Sequence, residues 1–249
     1  MTALSDRANR DAYIDLIKRS ITNHLYLGED AAFADFRSVK HYDVGQAHWK
    51  IDAYARPITL LSLAQLDLVE QAVLAVEQRG VPGDFIEAGV WRGGVIVLMR
   101  ALLKAHGITA RKIFAADSFA GIPKNTRALN DPVDKWRDRW VAPIEEVRQN
   151  IARFGLLDDK ITFVPGFFAD TLQHLADQRF AVVRLDSDSY DSVEESLVYL
   201  YPLLAPGGVI IIDDWHLVGC QQAVLNYRAR HGIVEDLKVH DGNAYWTKA

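Results

Sequence analysis

Between Asp84 and Ile212 the chain repeats one pattern: a short apolar run, a stretch with apolar residues at helical spacing, then another short run. The runs fall at 84–88, 112–116, 161–164, 180–185 and 209–212. Parallel strands need a crossover of a dozen or more residues, usually a helix, so the alternation points to an α/β fold with a mostly parallel sheet flanked by helices. Runs this apolar suit central strands covered on both faces. Helices are expected after Gly93 and Gly94 through Lys104, over 143–154, over 171–177, after the fourth run through Leu204, and over 221–230. Pro206, Gly207 and Gly208 read as the turn into the fifth strand, and 233–246 as a closing pair of strands.

Upstream of Asp84 the alternation is missing. Tyr13, Leu16, Ile17 and Ile21 form one apolar stripe at helical spacing, and a second helix is expected over 58–78, stopped by Gly80 and the Pro82-Gly83 pair. The stretch from His41 to Trp49 breaks every period, as a loop would. No repeat, low-complexity tract or Pro/Ser-rich linker intervenes, so one domain is expected, with 1–80 as its N-terminal helical extension and 81–249 as its core.

Composition narrows the partners. A formal net charge of −5 with no Lys/Arg block leaves nothing to neutralise a phosphate backbone, which argues against nucleic acid. No stretch approaches the roughly 20 apolar residues of a membrane span, which argues against a membrane, and no secretion signal is visible. The single Cys220 cannot form an intramolecular disulfide, which suits a reducing cytoplasm.

Two constellations carry chemistry. The first is the turn after the first strand, from Glu87 through Gly89 to Gly93 and Gly94, where glycines let the backbone come close to a ligand. Its spacing is not the G-x-G-x-x-G of dinucleotide enzymes. Asp117, ending the second strand, is placed to accept hydrogen bonds from ribose hydroxyls. Together they describe a nucleoside-bearing ligand without a pyrophosphate; the plain alternative is a tight turn plus a surface acid.

The second is sharper. Asp186 and Asp188 end the fourth strand, Asp213 and Asp214 the fifth, and in an open α/β sheet the ligand crevice lies beyond the carboxyl ends of the strands. Four carboxylates gathered there repel one another unless something neutralises them. A divalent cation does so most simply, and Mg²⁺ takes oxygen ligands while keeping positions open for water or substrate. Residues two apart on an extended strand share a face, so Asp186 and Asp188 both look into the crevice; adjacent Asp213 and Asp214 do so only if the chain turns there. The competing reading is helix capping, as by Asp188 or Asp191 for the helix through Glu194.

Longer strings carry a family likeness. Residues 80–94, 116–123, 163–172 and 184–190, then Asp213-Asp214-Trp215, Gly219-Cys220 and Ala223-Val224, make the chain resemble the macrocin O-methyltransferase family from about Tyr13 to Trp246. Members are metal-dependent enzymes that methylate sugar and related hydroxyls on bacterial natural products. The resemblance implies a Rossmann-like class I methyltransferase in which 1–80 also supplies a lid, with S-adenosylmethionine and Mg²⁺ or another divalent cation as cofactors. It assigns Glu87 and Gly89 to the methionine end of S-adenosylmethionine, Asp117 and Ser118 to ribose and adenosine, and Thr59 to a place near the cofactor. It gives Asp186, Asp213 and Asp214 to the metal and makes Asp188 the general base. It also implies a small-molecule acceptor and a homo-oligomer. The family's usual Asp-Gly-Asp is here Asp186-Ser187-Asp188, and its usual Thr-Met-Ile-Gly is Thr59-Leu60-Leu61-Ser62.

Weaker candidates each have two readings. His216 is a second base candidate or holds a local hydrogen bond. Arg92 balances the cofactor carboxylate or faces water. Trp136, Trp140, Phe167 and Phe168 wall a pocket or pack the core, and Cys220 reads as a packed thiol. A metal-dependent hydrolase on the same kind of sheet would want a phosphate-binding G-x-x-x-x-G-K-[S/T], which is absent. A non-catalytic nucleotide-binding module would not need Asp188.

Overall fold

The computed structural model describes residues 3–25, 57–124 and 140–249; the His41 to Trp49 stretch and Trp136 lie outside them. Helices α1 (Ala3–Ile21) and α2 (Leu63–Gln78) precede the sheet. Strands β1 (Asp84–Ala88), β2 (Ile113–Asp117), β3 (Ile161–Pro165), β4 (Phe180–Leu185) and β5 (Leu204–Ile212) then alternate with helices. These are α3 (Gly94–Ala105), α4 (Ile144–Arg153), the single turn α5 (Phe168–Thr171) continued by a 3-10 turn (Leu172–Leu175), and α6 (Tyr190–Leu200). Helix α7 (Val218–His231) and the hairpin β6 (Lys238–His240) with β7 (Asn243–Thr247) follow.

The sheet order is β3-β2-β1-β4-β5-β7-β6, parallel through β5 and antiparallel in the last two pairings. Strands are added outward from β1 in one direction and from β4 in the other, so a crevice opens between their carboxyl ends. Alternation along each strand feeds two cores: Phe85 packs with α1, α2 and α3 on one face, Ile86 with α6 and α7 on the other. This is why the strand runs are apolar at nearly every position. The stripe of Ile14, Ile17 and Ile21 on α1 is buried within the chain's own core, and Lys18 ties α1 to Asp67 and Glu70 of α2.

Two local expectations are corrected. The second helix begins at Leu63, not at 58, because Ser62 caps it: the Ser62 side chain accepts from the Gln65 N–H while the Gln65 side chain accepts from the Ser62 N–H. The preceding Ile58 and Thr59 instead donate their N–H groups to the Ile21 carbonyl at the end of α1, and the Ile58 carbonyl accepts from Gly94. Periodicity alone counted Leu60 and Leu61 into the helix, although Ser62-x-x-Gln65 marks its start. Pro206-Gly207-Gly208, read as a turn before the fifth strand, interrupts that strand from within: Leu204 pairs with Phe180 and Val209 with Val182.

Gly89, just past the end of β1, packs tightly on the backbone of Asp186, just past the end of β4. Its φ is 94°, and a methyl added there would sit 1.6 Å from the Asp186 carbonyl oxygen. Gly89→Ala is therefore expected to destabilise the fold by about 3 kcal/mol or more, since the backbone must move as well as strain. Gly107→Ala, at φ 66° with no atom within 4 Å of the added methyl, should lose about 1 kcal/mol. Urea unfolding of the two variants checks that ranking.

Candidate active site

At the carboxyl ends of β1, β2, β4 and β5 lies a cavity of about 840 Å³, and every site residue chosen from the sequence lines it: Thr59, Glu87, Gly89, Asp117, Ser118, Asp186, Asp188, Asp213 and Asp214. His216, Trp140, Phe167 and Phe168 line it as well. Among the described residues its wall is therefore part acidic, part aromatic.

The residue that organises the acidic side is Arg184, which sequence reasoning passed over as a member of an apolar strand. It is wholly buried in β4 and stands opposite Glu87 across the β1–β4 ladder. Its Nη1 donates to Glu87 Oε1 at 2.5 Å and to Asp186 Oδ2 at 3.0 Å, and Nη2 comes to 2.7 Å from Asp213 Oδ1. Burial disfavours the charged guanidinium, but Asp213, Asp186 and Glu87 outweigh it and hold the Arg184 pKa above its ordinary value. Part of the neutralisation expected of a bound cation thus comes from inside the sheet. A single charge in the middle of an apolar strand, two residues before an acid, was the available signal.

Arg184 does not relieve every acid. Burial pushes Glu87 up to about 8, with Arg184 opposing and Asp186 and Asp213 adding to it. Burial likewise raises Asp213 to about 7 against the pull of Arg184. Asp214 is raised well above the usual carboxylate range by burial and by its neighbours Asp188, Asp186 and Asp213.

The turns that follow β4 and β5 decide which acids meet. β4 ends at Leu185, so Asp186 and Asp188 do not share a face of one extended strand. Asp188 instead adopts φ 56° in a tight turn in which the Ser189 N–H donates to the Ser187 carbonyl at 2.6 Å. Its own N–H donates to Asp214 Oδ2 at 3.2 Å. After β5, the Asp213 N–H extends the ladder to the Leu185 carbonyl, and the chain turns at Asp214, where the Trp215 N–H donates to the Asp213 carbonyl. Asp186, Asp188 and Asp214 consequently each offer an oxygen within 4.8 Å of the others, while Asp213 turns one oxygen to Arg184. Crowded hard oxygen donors of this kind fit a divalent cation such as Mg²⁺.

The other side of the cavity is built from turns. Asp117 Oδ2 accepts from the Val90 and Trp91 N–H groups at 2.7 and 3.0 Å, and Oδ1 from Phe119 at 2.7 Å. The acid that ends β2 thereby fastens the glycine turn that follows β1; an ionised carboxylate has about four acceptor sites, so with three taken Oδ1 keeps one for a ligand. Burial raises its pKa, and these three N–H groups oppose the rise. Ser118 donates to the Gly121 carbonyl at 2.6 Å and accepts from the Ala120 N–H at 3.0 Å. The buried Thr59 hydroxyl accepts from the Leu61 N–H at 3.3 Å, and its Cβ lies 2.6 Å from where a methyl on Gly94 would sit. The glycines thus let protein pack on protein as much as on a ligand. Glu87 Oε2 is buried without a hydrogen-bond partner among the described residues, which suits the ammonium of an amino-acid group.

Two minor readings resolve. Arg92 neither faces water nor lines the cavity: it donates to Glu146 and to the Pro57 carbonyl, at 2.8 and 2.6 Å. Cys220 is buried with α7 in the core. No helix among the described residues is long and apolar enough to cross a membrane.

Comparison with known proteins agrees with this architecture. A family model described as macrocin-O-methyltransferase (TylF) matches residues 10–248. The chain is 41% identical over 243 residues to the 8-demethyl-8-(2,3-dimethoxy-alpha-L-rhamnosyl)-tetracenomycin-C 4'-O-methyltransferase of Streptomyces olivaceus, covering 95% of this chain and 92% of the relative. It is 34% identical over 260 residues to the mycinamicin III 3''-O-methyltransferase of Micromonospora griseorubida, covering 99% and 100%. The solved structure of the O-methyltransferase NovP superposes with a TM-score of 0.82 at 32% identity, over 96% of this chain and 99% of that one. An O-methyltransferase of Bacillus cereus, 16% identical with a TM-score of 0.52 over 86% of this chain and 97% of that one, shares the Rossmann-like class I methyltransferase fold. The hydrolase and non-catalytic readings are set aside by these matches. The chain belongs to the macrocin-O-methyltransferase family and is an S-adenosylmethionine-dependent O-methyltransferase.

Proposed function

We propose that this enzyme methylates a hydroxyl of a sugar, glycoside or related polyol or phenol on a small natural product, in keeping with relatives named as O-methyltransferases of a rhamnosyl-tetracenomycin and of a mycinamicin, with Mg²⁺ or another divalent cation bound among the acids. The observation that carries the reading is one cavity whose wall joins a buried carboxylate oxygen in need of a donor, Glu87 Oε2, to the Asp186, Asp188 and Asp214 oxygens. Glu87 would bind the ammonium of S-adenosylmethionine, Gly89 would keep the backbone clear of its methionine end, and Asp117 with Ser118 would take the ribose and adenosine. Thr59 with Leu60 and Leu61 would cover the cofactor and exclude water, which is the part we give to the lid.

Asp186, Asp213 and Asp214 would hold the metal, with Asp213 keeping one oxygen on Arg184. A cation bound there lowers the pKa of an acceptor hydroxyl and fixes its position. Asp188 would then accept the hydroxyl proton, a task for which its turn after β4 brings it into the cavity; a carboxylate suffices for a hydroxyl made more acidic. Orientation of the hydroxyl in line with the S–CH₃ bond supplies the rest, up to roughly 7–11 kcal/mol in well-ordered sites. The lone buried Cys220 supports a cytoplasmic enzyme.

Because Asp186, Asp188 and Asp214 all offer oxygens within 4.8 Å of one another, variants must separate ligand from base. Asp186→Ala should lose metal affinity and turnover together. Asp188→Ala should keep metal affinity and lower kcat by about 10² to 10⁴ on an accepted sugar substrate. Loss of metal from Asp188→Ala as complete as from Asp186→Ala would make Asp188 a ligand and move the base role to His216.

A pH dependence follows from the raised acids. With Asp213 near 7 and Asp214 also raised well above the usual carboxylate range, the metal-free site carries protons near neutral pH that a cation must displace. Metal affinity should rise as pH climbs through about 7, with protons released on binding. Calorimetric titration in two buffers of different ionisation enthalpy checks this; a flat affinity over roughly pH 6 to 8 would remove it.

A homo-oligomer, dimer or larger, is also proposed. The apolar stripe of α1 is used within the chain, so the support is narrower: Leu16 of α1 stays half exposed. A monomeric mass by light scattering at micromolar concentration would sink it.

A further inference from the structure

Asn243 opens β7, far along the chain from the glycine turn and the paired acids, yet it is wholly buried against the end of β5. Its side-chain amide stands 2.8 Å from the Asp213 carbonyl oxygen and 2.9 Å from Asp213 Oδ1. With the amide oxygen on that side, it accepts from Gln65 Nε2 at 3.0 Å but faces two Asp213 oxygens; with the nitrogen there, the Asp213 carbonyl oxygen and Oδ1 each gain a donor, two bonds for the one lost. Asp213 Oδ1 is therefore gripped from two directions, by Asn243 from β7 and by Arg184 Nη2 at 2.7 Å from β4. A hydrogen bond and an ion-pair contact on one oxygen fix the rotation of the carboxylate and leave Oδ2 as the atom it offers to the cavity that Asp213 lines. The bond to the Asp213 carbonyl adds a hold on the backbone just before the chain turns at Asp214.

We propose that Asn243 is a positioning residue for the divalent cation: it sets the Asp213 carboxylate so that its free oxygen is aimed at the metal. The inference rests on the reading of the acids as a metal site. Groups that orient a metal ligand in this way change metal affinity by about 10- to 100-fold when removed. They leave the cofactor pocket around Glu87 and Asp117 untouched, which separates a positioning role from a general loss of structure.

The test is Mn²⁺ binding, followed by the electron paramagnetic resonance of the free ion, for the wild-type chain, Asn243→Leu and Asn243→Ser. S-adenosylhomocysteine binding by calorimetry without metal is measured on the same proteins. Asn243→Leu keeps the branched shape and removes the donor; Asn243→Ser decides by the same criterion should the first fail to fold. The expected result is Mn²⁺ affinity weakened at least about tenfold with S-adenosylhomocysteine affinity within about twofold of wild type. Mn²⁺ affinity within about twofold of wild type in a folded variant overturns the role of Asn243 while leaving the metal reading intact. So does a parallel fall in both affinities. A wild-type chain that binds no Mn²⁺ overturns the metal reading and this inference with it.

Discussion

A guanidinium sealed inside a β-sheet is tolerated only if its charge is met, and in this protein Arg184 is met by Glu87, Asp186 and Asp213. The dependence is mutual. Removing one partner of a buried ion pair leaves an uncompensated charge and loses about 3–5 kcal/mol, so the acids hold Arg184 as firmly as it holds them. Since Glu87 comes from β1, Arg184 and Asp186 from β4 and its end, and Asp213 from the end of β5, the network fastens three neighbouring strands at the edge of the crevice. The cofactor-facing acid and the metal-facing acids are one electrostatic unit as a result, and a change in the charge of either reaches the other within a few ångströms.

Around that unit the chain accepts left-handed backbone at three residues that are not glycine. Trp91 at φ 44°, Phe119 at φ 54° and Asp188 at φ 56° are non-glycine residues in the left-handed region, and all three lie in the turns that shape the cavity or carry its acids. Such residues each carry about 1–3 kcal/mol of strain and persist only where surrounding bonds over-determine them. Here the bonds are visible: Asp117 takes the N–H groups of Trp91 and Phe119, and Asp214 takes that of Asp188. Carboxylates that point at the cavity thereby also hold its turns, which is why the site and the local fold cannot be altered independently.

Much of this was legible in the sequence, for a physical reason. Strands covered on both faces must be apolar throughout, so the five parallel strands announced themselves, and acids placed directly after such runs had to gather at one end of the sheet. The parts that stayed hidden depend on which strands become neighbours. Nothing local in β4 says that Arg184 will stand beside Glu87, because that needs the pairing of β1 with β4 across most of the chain. Asn243 was invisible for the same reason, its partner being reached through an antiparallel return strand. The start of α2 is a different kind of miss, since the capping signal at Ser62 and Gln65 was present and a count of apolar residues overrode it. Asp117 was found, but neither reading of it, ribose contact or surface acid, included the turn that it fastens.

The hydrogen bonds at the end of α1 have one more implication. Ile58 and Thr59 donate to the carbonyl of Ile21, and Arg92 grips the carbonyl of Pro57, so the end of α1 and the approach to α2 are fastened together at a single place. For a segment closed in this manner, each doubling of length adds only about 0.6 kcal/mol of closure entropy. Length gained or lost between two ends fastened like these therefore costs little closure entropy, and the sheet, the acids and Arg184 can stay as they are while it changes.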